Sequence, residues 1–539
     1  MNEEIEEYYE ELYRLYIDEN QPLERRYRQL RESLERVVRE KIQGNSLQTT
    51  DLAARINYVA TQYGLDLKEQ NQLHTFRLTS NDILNHRKSP VKEEFLRDLR
   101  AVAYAYRKMF AQDIPLKLFS VLPKQEIASS GKKEKMEYIR RIRVCFDYAD
   151  DTYLYVHPVD VIADEPIRVV YNKPGINHEF EETIKELWRY AQLNLLDVSV
   201  DRDGIYTPSF IVLEPDYLID ISSLAECYKD YGSHPANYFL SRLVPIDNAR
   251  PLLLGNIANL FLDEWIHAGE EEPDYIDCMK KAFRQYPIEL AACAELRDPS
   301  KEKEFAKDCR MHFEHIRDVV QHTFLEPGYN LDKKEAVLEP SYICEALGIQ
   351  GRLDYMQRDM SSFIEMKSGK ADEFSMQGKV EPKENNKVQM LLYMAVLEYS
   401  MGQDRRRMHP YLLYTRYPLL YPARASWAQV RRVINLRNRI VAAEYGVQFH
   451  NHPDFTRNLL AQINPEVVNE RKLSGRFWEQ YLKPSISRFR EKLSALEPLE
   501  QAYFYTLYNF ITKELYTSKS GDVDYEGRAG ASALWLSTL

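Results

Sequence analysis

The strongest constraint on the fold is a change of hydrophobic period along the chain. From Met1 to about Gln112 apolar residues recur at helical spacing, as at Ile5, Tyr8, Leu12 and Leu15 and again through "LERRYRQLRESLERVVREKI", where they sit among alternating charges. From about Ile114 to Pro215 they fall instead in short β-branched and aromatic runs, "MEYIRRIRVCFDYA", "TYLYVHPVDVI" and "PIRVVYN", divided by Asp-Asp, Pro and Asn-Lys-Pro-Gly turn chemistry. A pattern of one period cannot bury its apolar face in the other geometry. This predicts an all-helical N-terminal domain over 1–112 and a small β-rich, barrel-like or sandwich domain over 113–215, with "EFEETIKELWRYAQLNLL" read as one helix inside it. Helical spacing then returns and is broken by the hairpin signal at Gly351–Lys370 and by the strand pattern "HPYLLYTRYPLLYP". At 539 residues the chain is too long for one ordinary core. The remaining divisions read as an α/β domain over 216–445 and a helical region over 446–539.

Composition narrows the function classes. Cys145, Cys227, Cys278, Cys293, Cys309 and Cys344 are scattered without a CxxC pair, which predicts reduced thiols rather than a disulfide framework or a zinc ribbon. The first residues, "MNEEIEEYYEELYRLY", are acidic where a signal peptide is basic, and the longest apolar stretch, "PLLLGNIANLFL", is too short to span a bilayer. A cytoplasmic protein with no membrane partner is expected. The net charge of −11 argues against non-specific coating of nucleic acid and leaves room for a local basic surface.

The hairpin "GRLDYMQRDMSSFIEMKSGK" carries Asp354, Glu365 and Lys367 in segments that otherwise read as buried strands. Strand alternation puts Glu365 and Lys367 on one face with Phe363, and Ile364 and Met366 on the other. A two-residue turn at Asp359 and Met360 would pair Arg358 with Ser361 and set Asp354 across from Glu365, with Cβ atoms roughly 5 Å apart. Facing carboxylates are unfavourable unless a cation lies between them, and Mg²⁺ accepts one or two protein carboxylates beside phosphate and water. Lys367 would then serve the attacking water and the phosphate, which together describe metal-assisted phosphodiester hydrolysis. On spacing alone a solvated hairpin with a cross-strand ion pair fits about as well. Further along, Gln389 and Tyr393 lie four apart on one helical face among Val388, Leu391, Leu392 and Val396, where both need polar partners.

Taken in order, "GIQGRLDYM", "FIEMKSGK" and "QMLLY" resemble the motifs of the PD-(D/E)XK nuclease superfamily in its RecB-like branch, and the region is similar to the nuclease domain of replication nuclease-helicases. The resemblance runs over roughly 220–422. It implies a restriction-endonuclease-like α/β core, a mixed β-sheet flanked by helices. It implies Asp354, Glu365 and the Met366 carbonyl as ligands of Mg²⁺ or Mn²⁺, Lys367 as the catalytic lysine, and Gln389 and Tyr393 as organisers. The position where the branch often carries a metal-binding histidine is matched by Asn259, and Glu339 is a further candidate acid. With no cysteine after Cys344, no iron–sulfur cluster is expected. Neither "SSGKKEK" nor "KSGKA" has the first glycine of a P-loop, so no ATP site is expected in this chain. A helicase motor would then act in trans, or in cis as part of a longer protein.

Two other patterns stand out. Cys309, His312, His315 and His322 share a helical stretch but lack a second ligand cluster, so histidines without zinc are the default. Between Arg405 and Ala443 there is no acidic residue, while Arg405, Arg406, Arg407, Arg416, Arg424, Arg431, Arg432, Arg437 and Arg439 alternate with Tyr411, Tyr414, Tyr417, Tyr421 and Trp427. Guanidinium forks suit phosphates and aromatic faces suit unpaired bases; a helix docked on the acidic N-terminal domain is the competing use. The expected activity is a metal-dependent deoxyribonuclease for single-stranded or flapped DNA in repair, replication or recombination. The alternatives are a non-catalytic DNA-binding scaffold that keeps the nuclease fold, and an RNA-directed nuclease.

Overall fold

The computed structural model describes residues 2–18, 20–42, 52–123, 138–160, 163, 165–244, 249–329, 331–371, 381–423 and 426–520. The chain forms two compact units, one of Met1–Tyr217, Asn438–Thr456 and Ala502–Leu539, the other of Leu218–Arg437 and Arg457–Gln501. The helical and β-rich segments share one unit, and the C-terminal region is apportioned between both.

In the first unit, helices α1 (Asn2–Ile17), α2 (Leu23–Ile42), α3 (Leu52–Tyr63), α4 (Leu67–Leu84) and α5 (Lys92–Phe110) bear out the helical period, and a further short helix, α6 (Leu116–Phe119), opens the segment read as β-rich. Their apolar stripes, among them Leu30, Leu34, Val59, Phe76, Leu99 and Val102, close into one core. Asp66 and Glu69 form a reciprocal capping box at the start of α4.

Strands β1 (Tyr138–Ala149), β2 (Tyr153–Pro158), β3 (Ile167–Val170), β4 (Gln192–Val200), β5 (Tyr206–Thr207) and β6 (Phe210–Leu213) follow, with α7 (Glu181–Lys185) between β3 and β4. β1 pairs with β2 and with β4, β2 with β3, β3 with β5 and β5 with β4, so the ring closes and the β-rich segment is a barrel. β5 and β6 run in turn along the same strand, β4, on either side of Pro208. The helix expected from "EFEETIKELWRYAQLNLL" stops at Lys185, and its second half is β4. That half is almost entirely buried between β1 and β6, and a short apolar run buried on both faces carries no period to separate helix from strand. Asn438, late in the chain, accepts the Leu213 N–H at 2.9 Å and donates to the Ile211 carbonyl at 2.7 Å, so this later segment is stitched to β6.

The second unit holds β7 (Ile219–Asp220), α8 (Ile221–Ala225), α9 (Ala236–Leu243), α10 (Arg250–His267), α11 (Tyr275–Gln285), α12 (Pro287–Ala292) and α13 (Pro299–Gln321). Strands β8 (Ala336–Leu338), β9 (Ser341–Cys344), β10 (Ile349–Arg352), β11 (Tyr355–Gln357) and β12 (Ser362–Lys367) come next, followed by α14 (Glu384–Met401), β13 (His409–Tyr414) and β14 (Leu419–Pro422). Helices α15 (Trp427–His450), α16 (Pro453–Ala461), α17 (Pro465–Val468), α18 (Lys483–Ser494) and α19 (Pro498–Ser520) complete the chain, and α15, α16 and α19 each contain a crossing between the units. One sheet has the order β7-β10-β9 and a second the order β14-β13-β12-β11-β8. In the second sheet β12 and β13 are parallel while the other pairs are antiparallel, and α14 makes the connection that parallel neighbours require. The architecture is α/β with mixed sheets. Ile364, Met366, Tyr355 and Leu413 of the sheet share a core with Leu253, Ile257 and Phe261 of α10 and Phe313 and Ile316 of α13.

All six cysteines are free, as expected, and all are buried. No helix among the described residues is long and apolar enough to cross a membrane. Gly348 has φ +66°, and a Cβ there would overlap the guanidinium of fully buried Arg437, whose Nε donates to the Gly348 carbonyl at 3.1 Å.

Candidate active site

The site forms where the chain leaves one sheet for the other. β10 ends at Arg352, the Leu353 N–H bonds to the Pro340 carbonyl, and the Asp354 carbonyl accepts from Glu339, so main chain at 353–354 is drawn toward 339–340. Tyr355 then pairs with Ile364 and Met356 with Phe363, and one step back along this register Asp354 lies opposite Glu365. The expected register holds; the expected turn does not. Met360 N–H closes on the Gln357 carbonyl and only Met360 of the turn has positive φ, +59°, while the Arg358 N–H goes to the Glu335 carbonyl rather than to Ser361. The bond from Arg358 to Glu335, just ahead of β8, takes the donor that the symmetric two-residue loop would have given to Ser361.

Asp354 reaches across the gap with its side chain, and its Oδ2 accepts the Met366 N–H at 2.6 Å. Glu365 is 3 % exposed. Its Oε1 accepts both Lys367 Nζ at 2.8 Å and Gln389 Nε2 at 2.6 Å, and Lys367 donates again to Gln389 Oε1 at 2.9 Å. Lys367, Glu365 and Gln389 thus close a ring of hydrogen bonds. The other carboxylate oxygen, Glu365 Oε2, is buried and has no hydrogen-bond partner among the described residues. The Tyr393 hydroxyl donates to the Arg352 carbonyl at 2.6 Å, so the two residues of the helical pair face the strand junction as expected. Gly351 makes room for it, since a Cβ there would stand 3.0 Å from the Tyr393 ring.

Burial, reinforced by the charge of Asp354 and opposed by Lys367, pushes Glu365 up to about 8. Burial also raises Asp354, against the Met366 N–H and Lys367. Burial works against the charge of Lys367, yet the Glu365 carboxylate outweighs it and the ammonium is held above its usual range. Two carboxylates and one ammonium in this enclosure leave room for one more positive charge, either a proton or a cation.

Of the two further candidates, Glu339 borders this cluster. Glu339 is tied to Asp354 through the main chain and its side chain pairs with Arg352 at 3.1 Å. Asn259 is half-buried on α10, one turn from Gly255, whose Cβ would meet Ser368 Oγ at 3.4 Å, and one turn from Asp263. Asp263 is the acid that sequence reasoning missed: burial and then the charges of Glu339 and Asp354 raise it to about 6. The i, i+4 spacing puts Asp263 on one helical face with Gly255 and Asn259 but does not tell what that face meets. Glu226 was missed as well; burial opposes its charge, but Lys229, Asn385 and Lys367 together hold it below the ordinary range. Among the described residues no three His, Cys, Asp or Glu side chains form a ready-made metal cage, either here or around Cys309 and His312, which are buried on α13.

The arginines of the basic segment differ in exposure. Arg406, Arg407 and Arg432 are exposed and Arg416 is half-buried. The Arg405 guanidinium lies 4.8 Å from the Trp427 ring centroid, and Arg431 is buried. Arg424 lies outside the described residues, as does "SSGKKEK". Two of the interleaved aromatics are interior: Tyr411 is buried in β13, and Tyr414, fully buried, accepts hydrogen bonds from Asn386 Nδ2 at 2.6 Å and the Lys383 N–H at 3.1 Å. They hold the sheet and the start of α14, and so are not available to stack bases. No family model matches the chain, and no curated protein matches it.

Proposed function

We propose that the protein is a metal-dependent deoxyribonuclease of the PD-(D/E)XK kind, hydrolysing phosphodiester bonds in single-stranded or flapped DNA. The observation that carries this reading is the buried Glu365 Oε2, left without a partner among the described residues beside the half-buried carboxylate of Asp354 and a lysine. A buried acceptor with no donor is costly, and a divalent cation removes that cost. Glu365, Asp354 and the Met366 carbonyl would hold Mg²⁺ or Mn²⁺. The bound ion supplies polarisation of the phosphate and activation of water.

The chain's own residues do the rest. Lys367 commits two N–H donors to Glu365 and Gln389 and keeps a third for a phosphate oxygen or a water. Gln389 fixes the lysine by accepting from it while donating to the carboxylate that faces it. Tyr393 holds the Arg352 carbonyl and so the bend that brings Asp354 to β12. The parallel β12–α14–β13 connection and the antiparallel β11 agree with the core that the resemblance implies. Action beside a helicase motor, in repair, replication or recombination, completes the proposal.

The test is cleavage of end-labelled single-stranded, duplex and flapped DNA with Mg²⁺, Mn²⁺ or EDTA, alongside Lys367→Ala. Metal-dependent cutting of the unpaired strand that is lost in the variant is the expected result. Tight DNA binding without cutting under either metal would replace the proposal with the scaffold reading.

A further inference from the structure

α13 packs on the sheet that carries Glu365 and Lys367: its Phe313 and Ile316 share a core with Met366 of β12 and Leu413 of β13. Residues three apart lie on one side of a helix, so His312 and His315 come to the sheet together with that apolar stripe. The two histidines are not equivalent. His312 is 1 % exposed, and burial drives it down to about 4, so its ring is neutral at ordinary pH. His315 is half-buried, and its Nδ1 lies 3.0 Å from the Thr415 carbonyl oxygen. A carbonyl oxygen can only accept, so Nδ1 carries the proton and donates.

Thr415 stands where two parallel strands end. It follows the last residue of β13 and is fully buried, and its N–H donates to the Lys367 carbonyl at 3.0 Å, with its hydroxyl a longer second donor at 3.4 Å. Lys367 is itself the last residue of β12 and the register partner of Tyr414. The last rung of a ladder is the first to open unless something outside the ladder holds it. Here α13 supplies the hold: His315 grips the carbonyl of the residue whose N–H grips Lys367.

The place of this rung bears on the chemistry. Ligands of α/β sheets gather at the carboxyl ends of parallel strands, which is where β12 and β13 stop. Lys367 keeps its ammonium 2.8 Å from Glu365 Oε1 and 2.9 Å from Gln389 Oε1, and the main chain that aims it is the rung that Thr415 closes. A strand end that opens would let the ammonium leave both partners.

We propose that His315 is a positioning residue: through Thr415 it fixes the end of β12 and so the ammonium of Lys367. Its effect on cleavage rests on the nuclease reading, whereas the anchor itself does not. The test compares His315→Ala, His315→Asn and His315→Asp in the full chain. An asparagine amide nitrogen stands close to the place of Nδ1 and donates, while aspartate has the same shape and cannot donate. The readouts are single-turnover cutting of labelled flapped DNA at saturating DNA and Mg²⁺, and hydrogen exchange of the Thr415 amide followed by fragment mass spectrometry. His315→Ala and His315→Asp should slow cutting about ten- to a hundred-fold, the scale on which a small misplacement of a reacting group acts. In both, the Thr415 amide should exchange about two- to ten-fold faster, the factor that one net hydrogen bond gives. His315→Asn should stay within about threefold of the parent chain in both readouts, since it keeps the donor. DNA affinity in EDTA should be alike in parent and variants. Cutting at the parent rate by His315→Ala overturns the proposal, and so does unchanged exchange at Thr415. Where His315→Ala fails to fold, the Asn and Asp variants decide: equal loss in both marks a ring needed only for packing and overturns the proposal. A parent chain that cuts with no metal removes the nuclease reading instead, and the exchange pattern then decides the anchor by itself.

Discussion

Glu214 and Glu365 are both buried glutamates next to or within a strand, one in each unit, and burial raises both, to about 7 and about 8. They are finished differently. Glu214 Oε1 accepts the Gln192 N–H at 2.9 Å and Oε2 the Tyr445 hydroxyl at 3.3 Å, so both oxygens are satisfied by its own chain. Glu365 gathers two donors on one oxygen and, among the described residues, none on the other. A carboxylate buried for structure is closed on both sides, whereas one that serves a ligand keeps a side open. The same contrast separates Asp98, whose oxygens meet Tyr27 and Arg97, from the acids around Asp354.

The largest expected effect breaks this comparison at the chemistry. Glu365→Gln and Lys367→Ala should each lower metal-dependent DNA cleavage by at least about a hundred-fold, the scale on which a charge-stabilising group contributes. Glu214→Gln should leave cleavage unchanged. Gel assays of the three variants in parallel check this, and equal loss in Glu214→Gln would erase the distinction between the two glutamates.

The next effect concerns stability against pH. Glu214 has a folded pKa above its unfolded value, so the stability it contributes is complete below about pH 4.5 and is lost as pH rises through about 7. At about 1.4 kcal/mol per unit, Glu214→Gln should recover up to about 3 kcal/mol at pH 8 and flatten the profile between those values. Urea unfolding from pH 4.5 to 8 measures it; a parallel profile for parent and variant would show that Tyr445 and Gln192 already offset the burial.

The smallest effect sharpens the site's geometry. Gly351→Ala pushes a Cβ against the Tyr393 ring and should shift the Arg352 carbonyl, lowering cleavage about ten-fold, equivalent to about 1.4 kcal/mol. Combining it with Tyr393→Phe should add little, since both act on one contact. Full additivity in rate assays would show that Tyr393 works elsewhere.

Much of this was legible in the sequence, and the reasons differ by element. The helices up to Phe110 announce themselves because each buries one stripe and exposes the rest. The facing of Asp354 and Glu365 was legible because strand alternation fixes which side chains share a face, and it survived a wrong turn because Met360 takes the left-handed conformation while keeping the count. β4 was not legible: a strand buried on both faces has no alternation to read. Asp263 was hidden because an acid next to Glu264 near the end of an apolar helix looks like a surface residue until the strands it faces are known. Tyr411 and Tyr414 misled for the converse reason, since an aromatic in a basic segment reads as a base platform until its burial is seen.

The most direct measurement is calorimetric titration of Mn²⁺ into the metal-free chain at pH 8, where Glu365 is substantially ionised, repeated on Glu365→Gln and Glu214→Gln. The parent chain and Glu214→Gln should bind Mn²⁺ alike, with Glu365→Gln losing the site. Equal binding by Glu365→Gln would contradict the claim that the open oxygen of Glu365 is a metal ligand.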